Sequence, residues 1–312
     1  MKTDILFMHP KAEYFRDVLA PEFPEATIRV AHNEQEALAV CENSDAIAAM
    51  AHFIPATVVN KMPKLHWIQA LTTGTDHLLT LTLPKDIIVT SARGIHGPQM
   101  SEIAFLYMLS HFRDIRSFLK NQSQAIWASR PQKLLWGKTV TILGVGAISE
   151  ELALRCKAFG MRVIGVSSRT GVANFDKIFT RARINEAVAE ADVVVVLVPY
   201  SPETHHMVDR GVLEAMKPDS MLINIARGKV IDEPVLAEFL AQKRISGAGL
   251  DVFETEPLPP ESPLWAMDNV IVTPRVGGHS DVYAQQTMPL MRENLGIYIS
   301  GRHGELRNIV RL

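Results

Sequence analysis

The sequence predicts a two-domain α/β protein built on parallel sheets, and three observations carry that expectation. Short apolar strand candidates alternate with helical stretches along most of the chain, an order that folds as a parallel sheet flanked by helices. Residues 139–169 read as strand, glycine turn, helix and strand. A length of 312 residues exceeds the usual size of one domain, so two cores are expected.

In the first region residues 5–8, 27–31, 46–50, 65–70 and 87–91 are the strand candidates, with helical stretches such as 33–42 between them. No G-x-G occurs there, so this α/β unit differs in kind from the second. Thr72-Thr73-Gly74-Thr75-Asp76-His77 is a polar turn whose bare backbone N–H groups suit an anion such as a carboxylate. An ordinary strand-to-helix turn capped by Thr75 or Asp76 is an equal alternative. A second loop, Ala92-Arg93-Gly94-Ile95-His96-Gly97-Pro98, precedes a helix predicted over 100–120, with Ser101 or a neighbour as its cap. The domain crossing is expected at this loop, and 127–136 is a less regular connection.

The glycine turn is Gly144-Val145-Gly146-Ala147-Ile148-Ser149, with serine where G-x-G-x-x-G has its third glycine. The physical need is a sharp passage from strand to helix, so that N-terminal amides face a pyrophosphate with no Cβ in the way. A helix over 184–191 follows, then a continuous apolar run, 192–199, which reads as a central strand buried on both faces. Segments 220–226, 247–253 and 269–273 repeat the pattern of an apolar strand ending in polar residues. Ligands of open α/β sheets bind at such carboxyl ends. Arg227, Asp251, Glu254, Glu256, Arg275 and His279 are therefore the natural site candidates. The last helix, 282–300, is expected to pack back on the first domain.

Composition narrows the function. A net charge of −2 gives no reason to expect nucleic acid or a membrane surface as partner, so an anion site must come from a few local arginines. The two cysteines, Cys41 and Cys156, lie far apart and form no C-x-x-C, which points to a reduced, cytoplasmic protein. The N-terminal apolar run is broken by His9, Pro10 and Lys11, and no run reaches the roughly 18 residues of a membrane span. No metal site is expected.

At Leu222-Ile-Asn-Ile-Ala-Arg227-Gly228, Gly249-Leu-Asp251-Val-Phe-Glu-Thr-Glu256-Pro257 and Asn269-Val-Ile-Val-Thr273-Pro274 the sequence resembles the D-isomer-specific 2-hydroxyacid dehydrogenases, of the glyoxylate/hydroxypyruvate reductase kind. With the glycine turn and Val198-Pro199…Thr204, the matching blocks run in order from Thr139 to His279. The first region matches more loosely, through Thr73-Gly74-Thr75-Asp76 and Glu102. The resemblance implies two Rossmann-like/flavodoxin-like domains with parallel sheets, the cofactor domain (99–283) inserted into the substrate domain (1–98 and 284–312). It also implies a homodimer.

For the chemistry, the resemblance implies an arginine, a glutamate and a histidine. Hydride reduction of a 2-oxo acid needs a cation to hold the carboxylate and polarise the carbonyl, and an acid to protonate the developing alkoxide. Arg227 stands at the arginine position, and a guanidinium keeps its charge and offers paired donors in one plane. Glu256 matches the glutamate that hydrogen-bonds the family's histidine. Thr273-Pro274, however, is followed by Arg275 where the family carries the histidine. His279 is expected to replace it, with Arg275 as a second cation; His96 is the runner-up, and His279 as a mere helix cap is the bland alternative. Thr73, Gly74, Thr75 and Arg93 complete the expected substrate groups. The expected cofactor groups are Gly144, Gly146, Ala147, Ile148, Ser167, Ser168, Arg169, Val198, Pro199, Thr204, Ile225, Ala226, Asp251 and Gly277, with Asp251 toward the nicotinamide carboxamide.

The second strand of the glycine unit ends in Ser167-Ser168-Arg169, where an NAD enzyme presents a carboxylate to the ribose. NADP is therefore expected, with NAD acceptable if Arg169 only stacks on adenine. The implied reaction is NAD(P)H-dependent reduction of a small 2-oxo acid to the D-2-hydroxy acid. A dinucleotide-sensing, corepressor-like protein without turnover is the alternative from another class.

Overall fold

The computed structural model of the chain describes residues 3–311. It divides into two compact units: one runs to Ile95 and resumes at Ser280, and the other is His96–His279. His96, which the sequence assigns to the first domain's closing loop, falls in the second.

The first unit begins with β1 (Asp4–Met8), α1 (Ala12–Leu19), β2 (Thr27–Ala31), α2 (Glu34–Val40), β3 (Ala46–Ala49), α3 (Ala56–Asn60), β4 (Trp67–Ala70) and β5 (Ile88–Ser91). Asn33 caps α2 by accepting the Glu36 N–H at 3.0 Å, satisfying an N–H that has no partner within the helix. The second unit holds α4 (Gly97–Phe112), α5 (Ile115–Ser123), β6 (Thr139–Leu143), α6 (Ala147–Ala158), β7 (Arg162–Val166), β8 (Lys177–Phe179), α7 (Ile184–Ala189), β9 (Val193–Val196), α8 (Arg210–Ala215), β10 (Met221–Asn224), α9 (Glu233–Ala241), β11 (Gly247–Leu250) and β12 (Val270–Val272). The chain then returns to the first unit with α10 (Tyr283–Ile299) and β13 (Ile309–Val310).

Both sheets are doubly wound. The first runs β13-β5-β4-β3-β1-β2 and the second β12-β11-β10-β9-β6-β7-β8. Every pairing is parallel except β13 with β5, which is antiparallel. That two-residue edge strand and β8 lie outside the elements the sequence indicates, because such short pieces carry no periodicity. Strand order reverses between β1 and β3 in one sheet and between β6 and β9 in the other, and ligands bind at such reversals. The four valines of β9 are fully buried, as a central strand covered on both faces requires.

The helix expected over 100–120 breaks in two. Asp114 takes a left-handed conformation (φ 48°) between α4 and α5, and no residue of α5 is buried. Ser101 is not the cap of α4: His96 holds that position, and the buried Ser101 hydroxyl donates to Gly97 O at 2.7 Å inside the helix. In the first unit, α10 packs Met288, Met291 and Leu295 into a core with Ile5, Phe7 and Trp67. A buried polar ladder fixes its rotation: Asn294 Nδ2 and Thr90 Oγ1 both donate to Gln69 Oε1 at 2.8 Å, and Trp67 Nε1 donates to Thr90 Oγ1 at 2.9 Å. Such groups hold one arrangement because unpairing any of them inside a core is costly. Among the described residues no helix is long and apolar enough to cross a membrane, and no cluster of His, Cys, Asp and Glu could hold a metal ion.

Candidate active site

In the second unit the candidate residues collect at the carboxyl ends of β6, β7, β9, β10, β11 and β12. The glycine turn leaves β6 at the strand-order reversal. Gly144 has φ 97°, and a Cβ there would lie 2.8 Å from Val198 Cγ1 and 3.0 Å from Leu197 C. Only glycine permits both that conformation and that approach to the exit of β9. Gly146 precedes α6, with Ala147 and Ile148 as its first residues. Ser149, at the third-glycine position, is 1% exposed and donates its hydroxyl to Gly144 O at 2.6 Å. The serine thus ties the helix back to the turn.

Ser167, Ser168 and Arg169 follow β7, Val198 and Pro199 follow β9, and Ile225 and Ala226 follow β10. The Thr204 hydroxyl accepts from Ser201 N–H at 2.7 Å and donates to Pro199 O at 2.8 Å, closing a capping box within its own loop.

Arg227 is half-buried at the end of β10. Its Nη1 donates to Ala226 O at 2.7 Å. Asn224, the last residue of the strand, shapes the exit by accepting the Ala226 N–H (3.1 Å) and donating to Arg227 O (3.0 Å). The next residue, Gly228, lies flat on the neighbouring loop, since a Cβ there would sit 1.8 Å from Phe253 C and 2.3 Å from Glu254 N. The turn carrying Arg227 therefore rests on the backbone that leads to Glu256.

The expected glutamate–histidine pair is replaced by another. Glu256 accepts the Phe253 N–H at 3.1 Å through Oε1, and its Oε2 pairs with Arg275 Nη1. Arg275 is left-handed (φ 56°) and half exposed. The Arg275 guanidinium, expected as a second cation for substrate, is here the counter-ion of Glu256. Asp251 sits beneath the loop that leaves β12. The 3%-exposed carboxylate accepts from Thr273 Oγ1 (2.5 Å), Val276 N–H (2.9 Å) and Gly277 N–H (2.9 Å). Tyr107 OH joins Thr273 Oγ1 at 2.5 Å, and burial pushes its phenol upward in pKa. Asp251 is thus the clamp of the loop 273–277, because a buried carboxylate needs donors and these backbone groups supply them. His279 follows that loop and is exposed, with its N–H donated to Val276 O at 2.9 Å. His96 is 6% exposed, and its ring carbon Cδ2 lies 3.7 Å from where a Gly278 side chain would begin.

Sequence reasoning missed His206. Left-handed (φ 48°), it donates its backbone N–H to Lys229 O at 2.9 Å and holds Glu254 Oε1 with Nε2 at 2.7 Å. Glu254 N–H in turn donates to Glu233 Oε2 at 2.9 Å. Burial raises the Glu233 carboxyl pKa, and the charges of Glu254 and Glu256 add to it. His206 belongs to no recognisable spacing, whereas Asn224, a lone amide in an apolar strand, was a readable signal.

In the first unit, Thr72 Oγ1 donates to Gly74 O at 2.7 Å and so closes the turn that carries Thr73, Gly74 and Thr75. The Thr75 side chain makes no cap hydrogen bond to the short helix that follows. Arg93 follows β5, and its carbonyl accepts from Asn308 Nδ2 at 2.9 Å.

Comparison with known proteins agrees with this layout. The family model described as D-isomer specific 2-hydroxyacid dehydrogenase, NAD binding domain, matches residues 105–277. The crystal structure of a D-isomer specific 2-hydroxyacid dehydrogenase family protein from Aeromonas salmonicida is 34% identical with a TM-score of 0.91, covering 100% of this chain and 99% of that one. An NADPH-dependent glyoxylate/hydroxypyruvate reductase from Sinorhizobium meliloti, solved with NADP and sulfate, is 26% identical with a TM-score of 0.84, covering 99% and 98%. A D-3-phosphoglycerate dehydrogenase from Methanocaldococcus jannaschii is 30% identical over 303 residues, 93% of this chain but 56% of that longer protein.

Proposed function

This chain belongs to the D-isomer specific 2-hydroxyacid dehydrogenase family, and we propose that it uses NADPH to reduce a small 2-oxo acid, of the glyoxylate or hydroxypyruvate type, to the D-2-hydroxy acid. The observation that carries the reading is Arg227 at the end of β10, held by Asn224 and by the Gly228 contact with the Phe253–Glu254 backbone. Nicotinamide cofactor supplies the hydride. The turn Gly144–Gly146, the N-terminus of α6 and the neighbouring strand ends, with Val198, Pro199, Ile225 and Ala226, suit its phosphates and ring. Arg227 holds the carboxylate and polarises the carbonyl as charge moves to oxygen. Ser167, Ser168 and Arg169 supply donors for a 2′-phosphate, so NADPH is preferred to NADH. In the first unit, Thr73, Gly74, Thr75 and Arg93 are proposed as anion-binding groups.

His279 is the proposed proton donor, and its exposure lets it recover a proton from solvent between turnovers. His96 is a second reading, favoured by its burial against Gly278. Loss of the general acid lowers turnover by about 10²–10⁴-fold. His279→Ala is expected to show that loss in kcat while His96→Ala stays within about threefold of wild type. The reverse pattern transfers the role to His96.

A homodimer is part of the proposal. It is supported by exposed Ile115, Leu119, Ile126, Trp127, Leu134 and Trp136, since apolar side chains clustered along one surface segment mark an interaction site. Light scattering is expected to give a dimer mass, and a monomer mass at micromolar concentration removes this part.

A further inference from the structure

We propose that Glu150 sets the cofactor preference, as a built-in competitor for the cation that a 2′-phosphate takes. The inference rests on the reading that the glycine turn holds a dinucleotide. Arg169 leaves the end of β7 and reaches back over that turn. Its Nη1 donates to Glu150 Oε1 at 2.7 Å and to Val145 O at 3.1 Å, while its backbone N–H donates to Ser167 Oγ at 3.0 Å. Val145 is the middle residue of Gly144-Val145-Gly146, and Glu150 stands in the first turn of the 12-residue α6. The guanidinium is therefore strapped across the turn by a carboxylate that the helix supplies.

This arrangement has an electrostatic consequence. The carboxylate that NAD enzymes present to the ribose from the strand end is absent from Ser167-Ser168-Arg169, yet a carboxylate is present on the guanidinium all the same, delivered from α6. A 2′-phosphate must displace it and then bind beside its negative charge. The Arg169 and Glu150 side chains are 50% and 42% exposed, and ion pairs that open to water are weak. A phosphate carries more charge than a carboxylate and offers more acceptors, so it wins the guanidinium at the cost of part of its affinity. NADH brings no phosphate and leaves the pair intact, so its binding does not depend on the Glu150 charge. Preference between the two cofactors is then a balance of Arg169 against Glu150, held at two ends of one strap.

The test is titration calorimetry of the full chain with NADPH, NADH, 2′,5′-ADP and 5′-AMP, comparing wild type, Glu150→Gln and Arg169→Ala. Glu150→Gln keeps the size of the side chain and removes the charge. It is expected to tighten NADPH and 2′,5′-ADP about 3- to 10-fold and to leave NADH and 5′-AMP within about twofold. Arg169→Ala is expected to weaken NADPH and 2′,5′-ADP at least about tenfold, and far more than their unphosphorylated counterparts. If Glu150→Gln leaves NADPH unchanged or weaker while Arg169→Ala still weakens it, Glu150 is no competitor, and the reading of Arg169 stands. If Arg169→Ala leaves NADPH unchanged, recognition of the 2′-phosphate at this strand end fails, and the inference fails with it. Absence of binding by all four nucleotides overturns the dinucleotide site itself.

Discussion

Replacing Arg227 with alanine is expected to lower kcat/KM for the 2-oxo acid by about 10³-fold, ~4 kcal/mol of transition-state stabilisation. In its proposed role the guanidinium serves both the carboxylate and the adjacent carbonyl of the substrate, and both contacts are lost together. Arg227→Lys recovers little, because an ammonium keeps the charge without the planar pair of donors. Affinity for NADPH is expected to stay within about threefold, since the proposed cofactor contacts at this strand end are those of Ile225 and Ala226. Steady-state kinetics and nucleotide titration on the same preparation separate the two effects. An Arg227→Ala enzyme with near wild-type kcat/KM removes Arg227 from the chemistry.

Gly228→Ala is expected to be the most destabilising single-methyl change at the site. The added carbon would meet backbone atoms of Phe253 at 1.8 and 1.9 Å and of Glu254 at 2.3 Å. None of these can rotate away as a side chain end would, so the strand-end turn or the 251–256 loop must shift. A cost of ~3 kcal/mol or more is expected for overpacking against backbone, read as a lower urea midpoint or as loss of soluble protein. Gly146→Ala is the control, since nothing lies within 4 Å of its Cβ position among the described residues and its φ is −137°. Equal stability of the two variants would contradict the close approach.

Much of the fold was legible because buried parallel strands announce themselves. The valines of β9 and the apolar runs of β6 and β10 end at the edge where the candidate residues gather, β10 on the polar Asn224. The break at Asp114 was not legible, since α4 and α5 share one helical pattern and only the backbone conformation separates them. At the site, sequence separates residue types from their partners poorly. Arg227 and the glycine turn could be located by motif, but no spacing says that Glu256 takes Arg275 or that Asp251 spends its carboxylate on Thr273, Val276 and Gly277. Those choices follow from which loops meet at the sheet edge. The same holds for Ser149, a departure from the glycine pattern in the letters and a staple to Gly144 O in three dimensions.

The most direct test is NADPH oxidation by the purified chain with glyoxylate and hydroxypyruvate, followed by chiral analysis of the product and repeated with NADH. The account predicts one NADPH consumed per D-2-hydroxy acid formed from a prochiral substrate, with a higher kcat/KM for NADPH than for NADH. Tight NADPH binding without oxidation by these or related 2-oxo acids would contradict it and favour a dinucleotide sensor.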